Sequence, residues 1–154
     1  MPFNFDSELH CRNAVVGDIP EMLELLRQLF SIESDFYFNP EKQKNGLQML
    51  LHSSNSKIFV AEKQGHVIGM CTLQVLISTA EGGHTGLVED VIVDETHRSR
   101  GVGTLLLETA TECAQKAGLK RLQLLIDKNN ATALDFYHKY NWALTNMICV
   151  RKLF

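Results

Sequence analysis

Apolar residues at 19, 22, 23, 26, 29 and 30 follow the 3.6-residue period of an amphipathic helix. Asp18 stands before this stripe as the expected N-cap, Glu21 completes a capping-box spacing, and Pro20 falls in the first turn, where a missing N–H does no harm. Residues 9–16 read as a short opening strand. Residues 31–40 break the helical period with Glu33, Asp35, Phe36, Tyr37 and Phe38, as a loop that lines a cleft or caps a core would. A second, weaker helix is expected from about Glu41 to His52, with Gly46 inside it. Lys57–Lys63 and His66–Ser78 read as a hairpin turned at Gln64-Gly65, Ala80–Gly86 as a flexible loop, and Leu87–Val93 as a β-branched strand. The strongest helical pattern follows, with apolar or small residues at 102, 105, 106, 109, 110, 113, 114 and 117, and Gly118 where the chain must turn left-handed. Arg121–Ile126 reads as a strand, Asn130 to about Tyr140 as a short helix with Asn141 at its exit, and Trp142–Phe154 as a return to strand. The order β-α-α-β-β-β-α-β-α-β describes a single α/β domain over 1–154, built around a mixed sheet.

The length of 154 residues suits one core. With 45% hydrophobic and 21% charged residues, the chain falls outside the disordered and fibrous classes. A net charge of −3 supplies no electrostatic footprint for nucleic acid or an anionic membrane surface. No apolar run approaches the ~18 residues a membrane span needs. Residues 1–8 lack the basic and apolar regions of a secretory leader, so a soluble, cytoplasmic domain is expected. The 4 cysteines are scattered singly, which fits reduced and mostly buried thiols, and the 6 histidines show no metal-ligand spacing, so no metal is expected.

The chemistry concentrates where the strand ending at Val93 runs into Arg98-Ser99-Arg100-Gly101-Val102-Gly103-Thr104 and a long helix begins. A helix start exposes unpaired N–H groups and partial positive charge, glycines let an anion approach the backbone, and Arg98 and Arg100 add charge. Such a turn suits phosphate, although two glycines ahead of a helix also serve simple packing. Leu106 occupies the third small position of a dinucleotide-binding fingerprint, and no Gly-Lys-Ser/Thr occurs, so nicotinamide and nucleoside-triphosphate readings fall away.

Residues 98–103 match the R/Q-x-x-G-x-G/A signature of the GCN5-related N-acetyltransferases (GNAT), and the chain resembles that family. A second stretch, Asn130-Ala131-Thr132-Ala133-Leu134-Asp135-Phe136-Tyr137-His138-Lys139-Tyr140-Asn141-Trp142, is similar to the family's N-x-x-A-x-x-F-Y-x-K-x-G-F helix, with Asn141 and Trp142 replacing glycine and phenylalanine. The resemblance implies a mixed, mostly antiparallel central sheet flanked by about four helices, with a splayed strand pair that receives acetyl-CoA. It implies that Val91, Ile92 and Val93 offer backbone groups to the pantetheine arm. Arg98, Ser99, Arg100, Gly101, Val102, Gly103 and Thr104 would hold the pyrophosphate, with Asn130 and Tyr137 near the cofactor. A homodimer is common in the family.

Acetyl transfer to an amine requires a deprotonated amine, a polarised thioester carbonyl and a protonated leaving thiolate. Glu89 and Asp90 are adjacent on one strand, so an unbroken strand would send them to opposite faces. The resemblance favours Glu89 as base, directly or through water, Asp90 as a substrate contact, Tyr137 as acid toward the thiolate, and an N–H near Val91 as the carbonyl's donor. Each carboxylate could instead sit in an ion pair, and Tyr137 could simply pack beside Phe136. No histidine is placed by sequence beside Cys71 or Cys113, which leaves direct transfer in a ternary complex as the expected route. Glu33, Asp35 and Glu41, with the strand pair of acids, would suit a cationic small-molecule amine. A non-catalytic acyl-CoA-binding module and a protein N-terminal or lysine acetyltransferase are the alternatives.

Overall fold

The structure, a computed structural model, describes residues 8–154. The reading of a missing leader rests mainly on residues 1–7 and lies outside the described residues. The chain forms two compact units, one through Gln123 and one over Leu124–Phe154.

The first unit contains β1 (Leu9–Asn13), α1 (Ile19–Ile32), α2 (Pro40–His52), β2 (Ser56–Lys63), β3 (His66–Ser78), β4 (Gly83–Val93) and α3 (Val102–Lys116); β5 (Leu122–Leu124) crosses its end, and α4 (Ala131–Lys139) belongs to the second unit. The strands form an open five-stranded sheet in the order β1-β2-β3-β4-β5, with β1/β2, β2/β3 and β3/β4 antiparallel. The expected α/β architecture with four helices is present. The β2–β3 hairpin turns at Gln64 (φ 52°) and Gly65 (φ 79°), the pair of left-handed residues whose twist matches that of the strands they join.

The stripe expected for α1 becomes one side of the core. Ile19, Met22, Leu25, Leu26 and Leu29 pack with Leu47 of α2 against Ile58, Val60, Val67, Met70 and Ile92 of the sheet. Val102 and Leu106 of α3 pack at Gly69 of β3. A Cβ on Gly69 would lie 3.1 Å from Leu106 Cδ1 and from Val102 Cγ1, so the absent side chain sets how closely the start of α3 rides on the strand.

Several sequence expectations are corrected. β1 stops at Asn13, and Val16–Asp18 forms a 3-10 turn. Asp18 makes no side-chain cap to α1; its carboxylate accepts Val15 N–H at 2.8 Å and a two-pronged contact from Arg12 at 2.8 and 2.9 Å. A buried carboxylate (Asp18 is 7% exposed) gains more from a guanidinium than from one amide, so the tertiary pair displaces the local capping box. Glu21 accordingly accepts Val67 N–H of β3 instead. The loop expected over 80–86 is shorter, because β4 begins at Gly83. Gly86 is a packing glycine, where a Cβ would fall 2.5 Å from Leu122 Cδ2 and 2.7 Å from Leu73 Cδ1. Of the cysteines, Cys71 is buried, Cys11 and Cys113 are half-buried and Cys149 is exposed; all are free thiols.

In the second unit, Asn130 caps α4 by accepting Ala133 N–H at 3.1 Å. Asn141 takes φ 63°, and Trp142 N–H returns to Tyr137 O at 3.0 Å, which closes the helix as expected. Residues 142–154 form no strand, contrary to expectation, and expose Leu144, Met147, Ile148, Val150, Leu153 and Phe154. A strand-like pattern supplies side chains, but a ladder also needs a partner backbone, and among the described residues none pairs with this segment.

Candidate active site

β4 is broken where the chemistry is expected. Thr72 pairs with Glu89 and Met70 with Ile92, so Cys71 alone spans both Asp90 and Val91. Asp90 absorbs the extra residue at φ 51°, a left-handed conformation that aspartate tolerates better than branched residues do. Cross-strand partners share a face, so Glu89 stands on the same side as Ile92, the side packed by α1. Simple alternation between Glu89 and Asp90 therefore does not hold.

The bulge gathers acids. Glu89 is exposed and Asp90 half-buried. Burial, reinforced by the negative charges of Glu89 and of Glu33 at the end of α1, pushes the Asp90 carboxyl up to about 7. Asp35 stays exposed on the loop between α1 and α2, as does Glu41 in the first turn of α2. Thr72, cross-strand from Glu89, is fully buried, and its Oγ1 has no hydrogen-bond partner.

Backbone geometry sorts the polar groups of Val91, Ile92 and Val93. Asp94 N–H donates to Ile68 O of β3 at 2.8 Å. By antiparallel alternation, Ile92 also turns its polar groups to β3, whereas Val93 turns its own to the opposite edge. There, Arg98 Nε donates to the Val93 carbonyl at 3.0 Å, which leaves the Val93 N–H facing that edge. The chain at 120–121 is joined to the other end of β4 through Gly86 N–H to Arg121 O and Lys120 N–H to His84 O, both 2.8 Å.

The turn that follows is shaped for an anion. Ser99 (φ 60°) and Gly101 (φ 82°) are both left-handed, and Gly101 opens α3 without any side-chain cap, so the first-turn amides meet no carboxylate or hydroxyl from the N-cap. Arg98, Ser99 and Arg100 are exposed around it, Val102 and Thr104 are buried, and Gly103 lies between them. Backbone N–H groups and guanidinium charge in this arrangement could hold an anion.

Two residues that hold the turn carry little sequence signal. Asp94 accepts from Thr96 N–H at 3.1 Å and from Thr96 Oγ1, and His97 Nδ1 lies 3.0 Å from the same Oδ2. Gln28 of α1, 8% exposed, donates from Nε2 to Asp94 Oδ1 at 2.9 Å and accepts Glu95 N–H on Oε1 at 3.1 Å. These donors hold Asp94 well below the usual carboxylate range, with Gln28 contributing most. A buried glutamine amid an apolar stripe was the one available hint.

In the second unit, Tyr137 is half-buried in an edge-on aromatic group, its ring 5.3 Å from Phe136 and 5.8 Å from Trp142. Asn130 is occupied as the α4 cap. Among the described residues, no cluster of three or more histidine, cysteine or acidic side chains could hold a metal ion, and no helix is long and apolar enough to cross a membrane.

A family model described as the acetyltransferase (GNAT) family matches residues 20–142. An uncharacterized N-acetyltransferase of Methanocaldococcus jannaschii is 26% identical over 89% of this chain, which spans 62% of that relative's length. An IAA acetyltransferase of Azospirillum brasilense is 30% identical over 86% of this chain and 78% of its own. The crystal structure of an aminoglycoside acetyltransferase from an uncultured soil metagenomic sample superposes with a TM-score of 0.81 at 22% identity, covering 97% of this chain and 98% of that one.

Proposed function

Because the chain belongs to the acetyltransferase (GNAT) family, whose members draw their acetyl group from acetyl-CoA, we propose that it moves that group to a primary amine of a small molecule. The observation that carries this reading is the uncapped, left-handed turn of Ser99 and Gly101 opening α3 directly after a bulged strand.

Arg98, Ser99, Arg100, Gly101, Val102, Gly103 and Thr104 hold the pyrophosphate, with Asn130 also near the cofactor. Val91, Ile92 and Val93 flank the pantetheine arm; the Val91 carbonyl and the Val93 N–H pair with it, and Ile92 shapes the strand between them. The cofactor supplies an activated thioester. The Val91 N–H polarises the thioester carbonyl, Glu89 removes the ammonium proton directly or through water, and Tyr137 donates a proton to the departing thiolate. The amine attacks the carbonyl carbon as the carbon–sulfur bond breaks, with no acyl-enzyme, and the second proton shed by the nitrogen restores the Tyr137 phenol. Cys71 is suited to no such intermediate, since burial raises its thiol far above the range in which thiolate forms.

The acceptor is a cation before it reacts. Asp90 and Glu33 at the bulge receive it, with Asp35 on the adjoining loop, and an aminoglycoside acetyltransferase among the structural neighbours is in keeping with a polycationic small molecule. The enzyme works in the cytoplasm, as a monomer or a homodimer.

A thiol-release screen across polyamines, aminosugars, amino acids and peptide N-termini tests the proposal. Turnover on a small amine is expected, with kcat falling ~10²- to 10⁴-fold in Glu89→Gln and Tyr137→Phe, the range typical of a lost proton-transfer group. Coenzyme binding without transfer to any amine would overturn it, and full activity in both variants would overturn the assignments.

A further inference from the structure

The Gln28 amide touches neither the anion cradle nor the bulge, yet it ties the helix beside the acids to the strand end that launches the turn. Two of its hydrogen bonds go to consecutive residues, the Asp94 carboxylate and the Glu95 N–H, beside a further one to Glu24 on its own helix. Asp94 in turn gathers Thr96 and His97, so two successive residues take their positions from one carboxylate that α1 holds, and Glu95 before them takes its own from Gln28 itself. Arg98 then folds back on Val93 O, and the left-handed residues Ser99 and Gly101 follow at once. Little slack remains between Gln28 and the first amides of α3. Five residues beyond Gln28, the same helix ends at Glu33, whose charge reaches Asp90.

We propose that Gln28 is a positioning residue for the coenzyme: its carboxamide fixes Asp94 and Glu95, and through them orients the pyrophosphate turn. The proposal rests on the reading of residues 98–104 as that turn. A buried glutamine meeting a side-chain acceptor and a backbone donor at once has a geometry no other residue type reproduces. Methionine fills the volume but makes neither bond; glutamate keeps the acceptor and sets a second carboxylate against Asp94.

The experiment compares coenzyme A with pantetheine, which lacks the pyrophosphate, as ligands for the full chain and for Gln28→Met and Gln28→Glu. Titration calorimetry measures coenzyme A, NMR line shifts measure pantetheine, and urea unfolding reports the stability of each variant. In both variants, coenzyme A affinity is expected to fall ~10- to 100-fold, as for a site misplaced by less than an ångström, while pantetheine affinity stays within about twofold. If the two ligands weaken together, Gln28 is only structural; if neither weakens, it positions nothing. Either result overturns the proposal. If the unmodified chain binds coenzyme A no more tightly than pantetheine, the turn itself has been misread, a failure that is separate from that of Gln28. Should one variant fail to fold, the other decides.

Discussion

Replacing Asp90 with asparagine should make the protein more stable, and more so in alkali than in acid. The carboxyl is pushed from 3.8 up to about 7 by burial and by the charges of Glu89 and Glu33. Between those two values the folded protein holds a proton that the unfolded chain has released, so stability falls as pH rises through the window. The cost is absent below about pH 3.8 and complete above about pH 7. A shift of roughly three pH units corresponds to an upper bound of ~4 kcal/mol, of which ~2–3 kcal/mol is incurred between pH 5 and pH 8. Asparagine is nearly isosteric and cannot ionise, so this penalty disappears. Urea unfolding of both proteins at pH 5 and pH 8 measures it. The stability gained by Asp90→Asn should be larger at pH 8 by ~2 kcal/mol or more, and the amine KM should rise as the cation loses a partner. An equal difference at both pH values would mean that Asp90 ionises normally and that the bulge stores no electrostatic strain.

Gly86→Ala should cost ~1–3 kcal/mol, because its Cβ would strike Leu122 and Leu73 in the closely packed first unit; a urea midpoint unchanged from the parent would contradict the close approach. Arg12→Met removes the partner of buried Asp18 and one contact to Glu62 at 2.7 Å, and should destabilise by ~2–4 kcal/mol at pH 7. Arg12 lowers the Asp18 pKa, so that stability is present above the ordinary aspartate range and is lost as pH falls through the lowered value. The variant's deficit should therefore shrink in acid, and a deficit independent of pH down to about 3 would show that the pair contributes no charge interaction.

The expectations that survived were those set by neighbouring residues. The α1 and α3 stripes, the Gln64-Gly65 turn and the exit of α4 at Asn141 each depend on side chains within a few positions, so periodicity and backbone preference suffice. The tight turn that opens α3 was legible for the same reason, since a strand, two glycines and a helix start are contiguous.

The capping box at Asp18 failed because Arg12 competed for the carboxylate, and the loop at 80–86 shrank because Gly83–Gly86 pair with Val75–Ser78 of β3. Nothing local marks Asp90 as the extra residue of a bulge. That follows from Cys71 lying opposite two residues, and Glu33 adds its charge from 57 positions away. Gln28 finds Asp94 across a separation of 66 residues. The sequence by itself determined the helices, the strands up to β4 and the turn that opens α3. Only the tertiary structure decided which charges face one another, because burial and long-range pairing set a carboxylate's ionisation and no local pattern encodes either.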